Sequence, residues 1–227
     1  MREFQGKLYA KKSEIAAAIT REVGKPVVEA LVTEVLVVLD AARFLIDKAW
    51  GLLRDEPVPH GNLVTKLKSG WLLREPHGVI GIISPWNYPF SIPATETLAA
   101  LVAGNAVVLK PPSAAPAVVH ALVELFVDAG TPPGVLNVVY GRSMGPALVR
   151  DPRVDFITFT GSGRTGTDIK TASGLRRVAL ELGNNGPTIV HADGNLEEAT
   201  PLCARKSFDV LAQAQAEFQE ILDKTEK

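Results

Sequence analysis

A chain of 227 residues with 46% hydrophobic residues and a mean hydropathy of +0.13 has the composition of a folded protein, and the length for one large domain or a domain and a half. A formal net charge of -1 offers no basic field to nucleic acid, and no apolar run approaches the ~18 residues of a membrane span. Met1-Arg2-Glu3-Phe4 lacks the apolar core of a signal peptide, so a soluble, cytoplasmic protein is expected. The single cysteine, Cys203, excludes an intrachain disulfide, and His60, His77, His120 and His191 are scattered without ligand spacing, so no metal is expected.

From the N-terminus, Ile15, Ile19 and Val23 recur four apart, which predicts an amphipathic helix over 11–23 that Gly24-Lys25-Pro26 terminates. Leu31, Val35, Val38, Ala42, Leu45 and Ala49 alternate steps of four and three, which predicts a longer helix over 27–50. Its β-branched residues weaken local propensity, so packing has to hold it. After a connector over 51–62, Leu63, Thr65 and Leu67 alternate with Val64, Lys66 and Lys68, which predicts a β-hairpin over 63–74 turning at Ser69-Gly70. A lone hairpin is marginal, so another subunit or the helices of this one have to cover it.

Val79 to Ile83 is a β-branched run between Gly78 and Pro85, the composition of a strand buried on both faces of a parallel sheet. Ser84-Pro85-Trp86-Asn87-Tyr88-Pro89 then leaves regular structure, because proline removes a backbone donor and restricts the residue before it. Helical composition resumes over 95–102, Gly104-Asn105 ends it, and Ala106 to Leu109 reads as a second buried strand that delivers Lys110. Open α/β sheets bind ligands outside the carboxyl ends of their strands, so Asn87 and Lys110 are expected to face one crevice.

Val118, Leu122, Leu125, Phe126 and Ala129 mark the core face of a helix over 114–129. Strands are predicted over 135–140, 154–159 and 177–182, with helices over 141–149 and 165–172 between them. Strands alternating with helices make βαβ units, so the fold class is α/β: an open, Rossmann-like parallel sheet of about five strands flanked by helices, with a β-hairpin flap. Asn195 with Glu198 three residues on reads as a capping box, opening a helix that Pro201 interrupts. From Ser207, Leu211, Ala214, Phe218 and Leu222 share one face, with Glu220–Lys224 and Asp223–Lys227 pairs, which predicts a terminal amphipathic helix. It is expected to dock on its own domain as a cap.

Gly161-Ser162-Gly163-Arg164-Thr165-Gly166 fits G-x-G-x-x-G between a predicted strand and a helix, with Glu181 twenty residues after Gly161. Alone it reads as a dinucleotide fingerprint with Glu181 on a ribose, or as a tight turn without ligand. ISPWNYPF, AGNAVVLKP, FTGS-x-x-TG and LELG, in this order, give a more specific reading. Together they resemble the NAD(P)-dependent aldehyde dehydrogenase superfamily, from about residue 13 to about residue 209.

The resemblance implies that 1–210 is an NAD(P)-binding domain. A flap over 62–75 would pair with a neighbouring subunit and make a homo-oligomer. It implies NAD or NADP as cofactor, contacted by Ser84, Trp86, Asn87, Lys110, Ser113, Gly141, Gly145, Gly161, Ser162, Gly166 and Leu182. Lys110 would bond the adenosine ribose, the helix after Ser162 would receive the pyrophosphate, Asn87 would donate to an oxyanion, and Glu181 would be the general base. The family's frequent KPSE is Lys110-Pro111-Pro112-Ser113 here. Serine tolerates a 2′-phosphate that a carboxylate would repel, so dual cofactor use or a lean to NADP is expected. Gly183-Asn184 departs from the family's usual Gly-Gly beside Glu181.

The family's chemistry needs a thiolate in a G-Q-x-C motif, and the corresponding residues are Ala212-Gln213-Ala214-Gln215. Glutamine cannot form a thioester, and Cys203 reads as a structural thiol rather than a displaced nucleophile. The chain ends twelve residues after Gln215. The expectation is therefore a cofactor-binding piece that binds dinucleotide weakly and lacks turnover, followed by a non-family helix over 211–227. The alternative is a scaffold without ligand function.

Overall fold

The computed structural model describes residues 1–62, 64, 66–183 and 188–204. The chain divides into two units, 1–183 and 184–227, and the first carries every cofactor and catalytic candidate named above. The expected terminal cap over 211–227 lies outside the described residues.

Helix α1 (Arg2–Ala10) precedes the first expected helix, and its only apolar signal is the buried pair Phe4 and Leu8. The Phe4 ring stacks on Phe126 with centroids 4.3 Å apart. Helix α2 (Lys12–Val23) ends on Gly24, whose φ of 71° needs a residue without a Cβ. The next helical stretch runs as α3 (Val27–Ala30), a π-helical turn over Leu31–Val35, and α4 (Leu36–Leu53). Val35, Val38 and Ala42 are buried as their spacing predicts, and so is Glu34, at 0% exposure.

Strand β1 (Glu56–Val58) pairs antiparallel with β2 (Gly70–Leu72), in the register Glu56↔Leu72, Pro57↔Trp71 and Val58↔Gly70. An antiparallel ribbon therefore exists, but not as expected: its first strand lies in the presumed connector, and Gly70 opens the second strand instead of turning between two. Arg74 explains the choice, donating to Arg54 O at 2.7 Å and to Glu56 at 3.0 Å, which holds the chain after β2 against 54–56. Leu63 and Thr65, on which the alternation rested, lie outside the described residues.

Strands β3 (Val79–Ile83), β4 (Ala106–Lys110), β5 (Leu136–Val138), β6 (Phe156–Gly161) and β7 (Arg177–Leu182) form one parallel sheet in the order β5-β4-β3-β6-β7. Helices α5 (Ser91–Val102), α6 (Pro116–Asp128), α7 (Met144–Arg150) and α8 (Gly163–Ser173) connect them. Ile80, Ile82, Val107 and Leu109 pack with Val119 and Leu101 on the α5–α6 face, while Ile83, Ile157 and Phe159 pack with Leu148, Val149 and Ile169 on the α7–α8 face. Burial on both faces is what the unbroken β-branched runs encode.

The N-terminal helices pack on α5 and α6, making an outer helical layer on that side. Two glutamates of this layer cap the helices beneath it. Glu22 accepts from Ala117 and Val118 N–H at 2.9 and 2.8 Å at the start of α6, and Glu34 accepts from Phe90 and Ser91 N–H at 2.9 and 3.0 Å at the start of α5. In the second unit, Asn195 caps a helix over 196–204 by accepting from Glu197 N–H at 3.0 Å. Pro201 does not interrupt it as expected: proline's φ is helical, and its cost here, about 3 kcal/mol, is the lost bond to the Glu197 carbonyl and the ring's crowding of that carbonyl.

Candidate dinucleotide site

Strand order reverses across β3: the chain proceeds outward to β4 and β5, then returns by α7 to place β6 on the other side of β3. A doubly wound sheet opens a crevice at such a switch point, outside the carboxyl ends of the two strands. Those ends here are Ile83-Ser84 and Thr160-Gly161-Ser162, with Ile83 paired to Phe159 and, on the other side, to Lys110. Ser84 N–H donates to Lys110 O at 3.3 Å, so the β3 and β4 ends are tied together where the chain leaves the sheet.

Sequence-predicted residues gather along this edge. Ser84 is 6% exposed and its Oγ has no hydrogen-bond partner, an arrangement that costs about 1–3 kcal/mol unless a ligand or water fills it. Trp86 and Asn87 are half-buried in the loop after β3. Asn87 Oδ1 accepts from Tyr88 N–H at 3.1 Å, so the carbonyl end of the amide serves the turn and the donor end is the one directed away from it. Ser113 is exposed in the loop after β4, and Gly141, with φ of 111°, lies in the loop after β5. Gly145 is buried in the first turn of α7.

Ser162 is the N-cap of α8, accepting from Thr165 N–H at 3.3 Å and donating to its hydroxyl at 3.0 Å. Gly161 is small because a Cβ there would strike the Phe159 ring, and Gly166 because a Cβ would strike the Leu182 side chain. The first is a contact within β6, and the second, between helix and strand, seats α8 against the sheet. Gly163, by contrast, opens onto free space, which leaves the α8 N-terminus approachable.

Alternation in β7 sends its two candidates to opposite faces. Leu182 packs on the α8 side with Val178 and Leu180, whereas Glu181 shares the other face with Arg177 and Ala179 and is exposed. Glu181 is the strand partner of Thr160, so the two side chains stand side by side on the α5 face. Glu181 is thus brought to the same edge as Ser162 and Leu182 but not to the same side of the sheet.

On that α5 face lies a residue the motifs do not flag. Glu96, the one charged residue of α5, accepts from Thr158 Oγ1 at 2.9 Å. Burial pushes its carboxyl up to about 7, with the hydroxyls of Thr158 and Thr160 working against the shift and the charge of Glu181 adding to it. Its sequence signal is a single acid in an otherwise uncharged helix.

Among the described residues no helix is long and apolar enough to cross a membrane, and no group of His, Cys, Asp and Glu could hold a metal. The donor set is that of an anion- and hydroxyl-rich organic ligand: a capped helix N-terminus, a lysine at a strand end and an unpartnered buried hydroxyl. A dinucleotide fits it.

Comparison with known proteins agrees with this fold. The profile of the aldehyde dehydrogenase family matches residues 1–215. The chain is 40% identical over 202 residues to a 3-succinoylsemialdehyde-pyridine dehydrogenase of Pseudomonas sp., covering 87% of this chain and 40% of that protein. Among solved structures, an NAD-dependent aldehyde dehydrogenase from Sinorhizobium meliloti superposes with a TM-score of 0.80 at 39% identity, covering 87% of this chain and 39% of that one. An NADP-dependent enzyme from E. coli gives 0.80 at 32% identity, with coverages of 87% and 41%. The chain spans about 40% of the length of each of these proteins. Its fold, its motif order and its matches agree, and the chain belongs to the aldehyde dehydrogenase family.

Proposed function

We propose that this chain binds NAD or NADP along the carboxyl edge of its sheet and does not itself oxidise an aldehyde. The observation that carries the reading is the buried, unpartnered Ser84 hydroxyl at the end of β3, on the strand adjacent to the one that leads into the Ser162-capped start of α8. A bound dinucleotide supplies a hydride acceptor. The chain's own residues bind and orient it: the α8 N-terminus and Ser162 hold the pyrophosphate, Lys110 holds the adenosine ribose, and Trp86 and Asn87 flank the nicotinamide side. Ser113, in place of an acid, leaves room for a 2′-phosphate.

Glu181 retains the position of a base able to take a proton from water, but Gln215 stands where the thiolate nucleophile belongs. Without a covalent acceptor for the aldehyde carbon, no step places that carbon before the hydride acceptor. The function supported best is therefore cofactor binding without turnover.

Isothermal titration of NAD, NADP and ADP, run beside Lys110→Ala, tests this. NADP is expected to bind at least as tightly as NAD, and Lys110→Ala to weaken both at least fivefold. Absence of heat and of any melting shift with all three ligands would reduce the chain to a scaffold.

A further inference from the structure

The buried ion pair of the outer helical layer reaches the site itself. Lys25, immediately after the Gly24 stop of α2, donates to Glu34 Oε1 at 2.6 Å and to the backbone carbonyl of Asn87 at 3.0 Å, and its ammonium lies 4.0 Å from the centre of the Tyr88 ring. The other oxygen of Glu34 accepts from Phe90 and Ser91 N–H. One ion pair therefore grips the 84–90 loop at both ends of its second half: the Asn87 carbonyl through the cation, and the Phe90–Ser91 amides through the anion. Glu34 is fully buried and the Lys25 side chain 15% exposed, so solvent screens neither charge effectively.

A buried ion pair is weak support for stability, because desolvation offsets its attraction, and apolar residues of similar volume often serve as well. Retaining one here calls for a reason beyond stability. Its bonds run to a loop that is not part of its own layer, and the π-helical turn over Leu31–Val35, a geometry found often at functional sites, carries Glu34 toward that loop.

We propose that Lys25 and Glu34 are positioning residues for Asn87: the pair fixes the peptide plane after Asn87 and so aims its side-chain amide at the nicotinamide side of the crevice. The inference rests on the dinucleotide reading for what Asn87 meets, but not for the clamp itself. Lys25→Met alone would strand the buried Glu34 charge and risk unfolding. The informative variant is Lys25→Met with Glu34→Gln, which removes both charges and keeps a carbonyl oxygen for the Phe90 and Ser91 amides.

The experiment is carried out on the full chain, ¹⁵N-labelled, with the Asn87 side-chain amide signal assigned through Asn87→Ser, and with NAD and ADP titrated. The double variant is expected to melt within a few degrees of the parent, to shift the Asn87 amide signal, and to lower NAD affinity at least threefold with ADP affinity unchanged. An unmoved Asn87 signal and an unchanged NAD to ADP ratio would make the pair mere packing and overturn the proposal. Should the parent bind neither nucleotide, the dinucleotide reading fails, and the Asn87 signal still decides the clamp.

Discussion

Two glutamates dominate at the scale of single residues, Glu34 fully buried and Glu96 half-buried, and they differ in how their charge is met. Glu34 has a cation and two amide donors, whereas Glu96 has threonine hydroxyls and a neighbouring carboxylate. Raised to about 7, Glu96 keeps its proton in the folded chain after an unfolded chain has lost it near 4.5, so folding stability falls as pH rises from about 4.5 to about 7 and then levels. Glu96→Gln removes that loss. Its melting temperature should exceed the parent's at pH 8, by the equivalent of at most about 3 kcal/mol, and match it near pH 4.5; an equal gain at both values would mean the effect is packing. The second residue-scale prediction concerns Cys203: enzyme-dependent NADH formation from aldehydes should be absent in both the parent and Cys203→Ser. Activity in the parent that disappears in Cys203→Ser would instead identify a relocated nucleophile.

Several elements were legible in the sequence and others were not, for physical reasons. The β-branched run at 79–83 matched β3 because burial on both faces leaves little room for polar residues, whereas β7 alternates, with Val178, Leu180 and Leu182 packed on α8 and Arg177, Ala179 and Glu181 exposed. Gly24 and Gly104 marked helix ends because their φ values of 71° and 85° need glycine. The ribbon was misplaced because alternation over 63–68 mimics a strand, while Arg74's bonds to Arg54 and Glu56, distant in sequence, select another pairing. Glu34 fell on the same helical face as Leu31, Val35 and Val38, and that acid on an apolar stripe was the available signal for the clamp. The α8 start, read from the glycine motif, carries an element-scale prediction. Ser162→Ala removes the N-cap and should lower stability by about 1 kcal/mol in urea unfolding. If the helix N-terminus holds the pyrophosphate, NAD and ADP affinity should fall together.

At the scale of the molecule, the antiparallel ribbon presents an apolar surface among the described residues, with Val58, Trp71, Leu72 and Leu73 all more than 40% exposed. Two-stranded ribbons are marginal alone, and exposed apolar patches mark association sites. Trp71→Glu is expected to shift the chain toward monomer in sedimentation, and an unchanged distribution would leave the ribbon without a pairing role.

The strand order also dictates a schedule of synthesis. Residues 1–138 contain the outer helices, α5, α6 and the contiguous half-sheet β3–β4–β5, whereas β6 is made later and must join β3 on its far side. Until then β3 is an edge strand with unpaired backbone groups, and the Leu148, Val149 and Ile169 cover of its α7–α8 face is not yet in place. The emerging chain thus passes through an interval in which Ser84, Asn87 and Lys110 have been synthesised on a half-sheet whose open edge invites pairing with other chains. On the ribosome, the demand for chaperone protection should peak before residue 161 emerges and decline once β6 has docked.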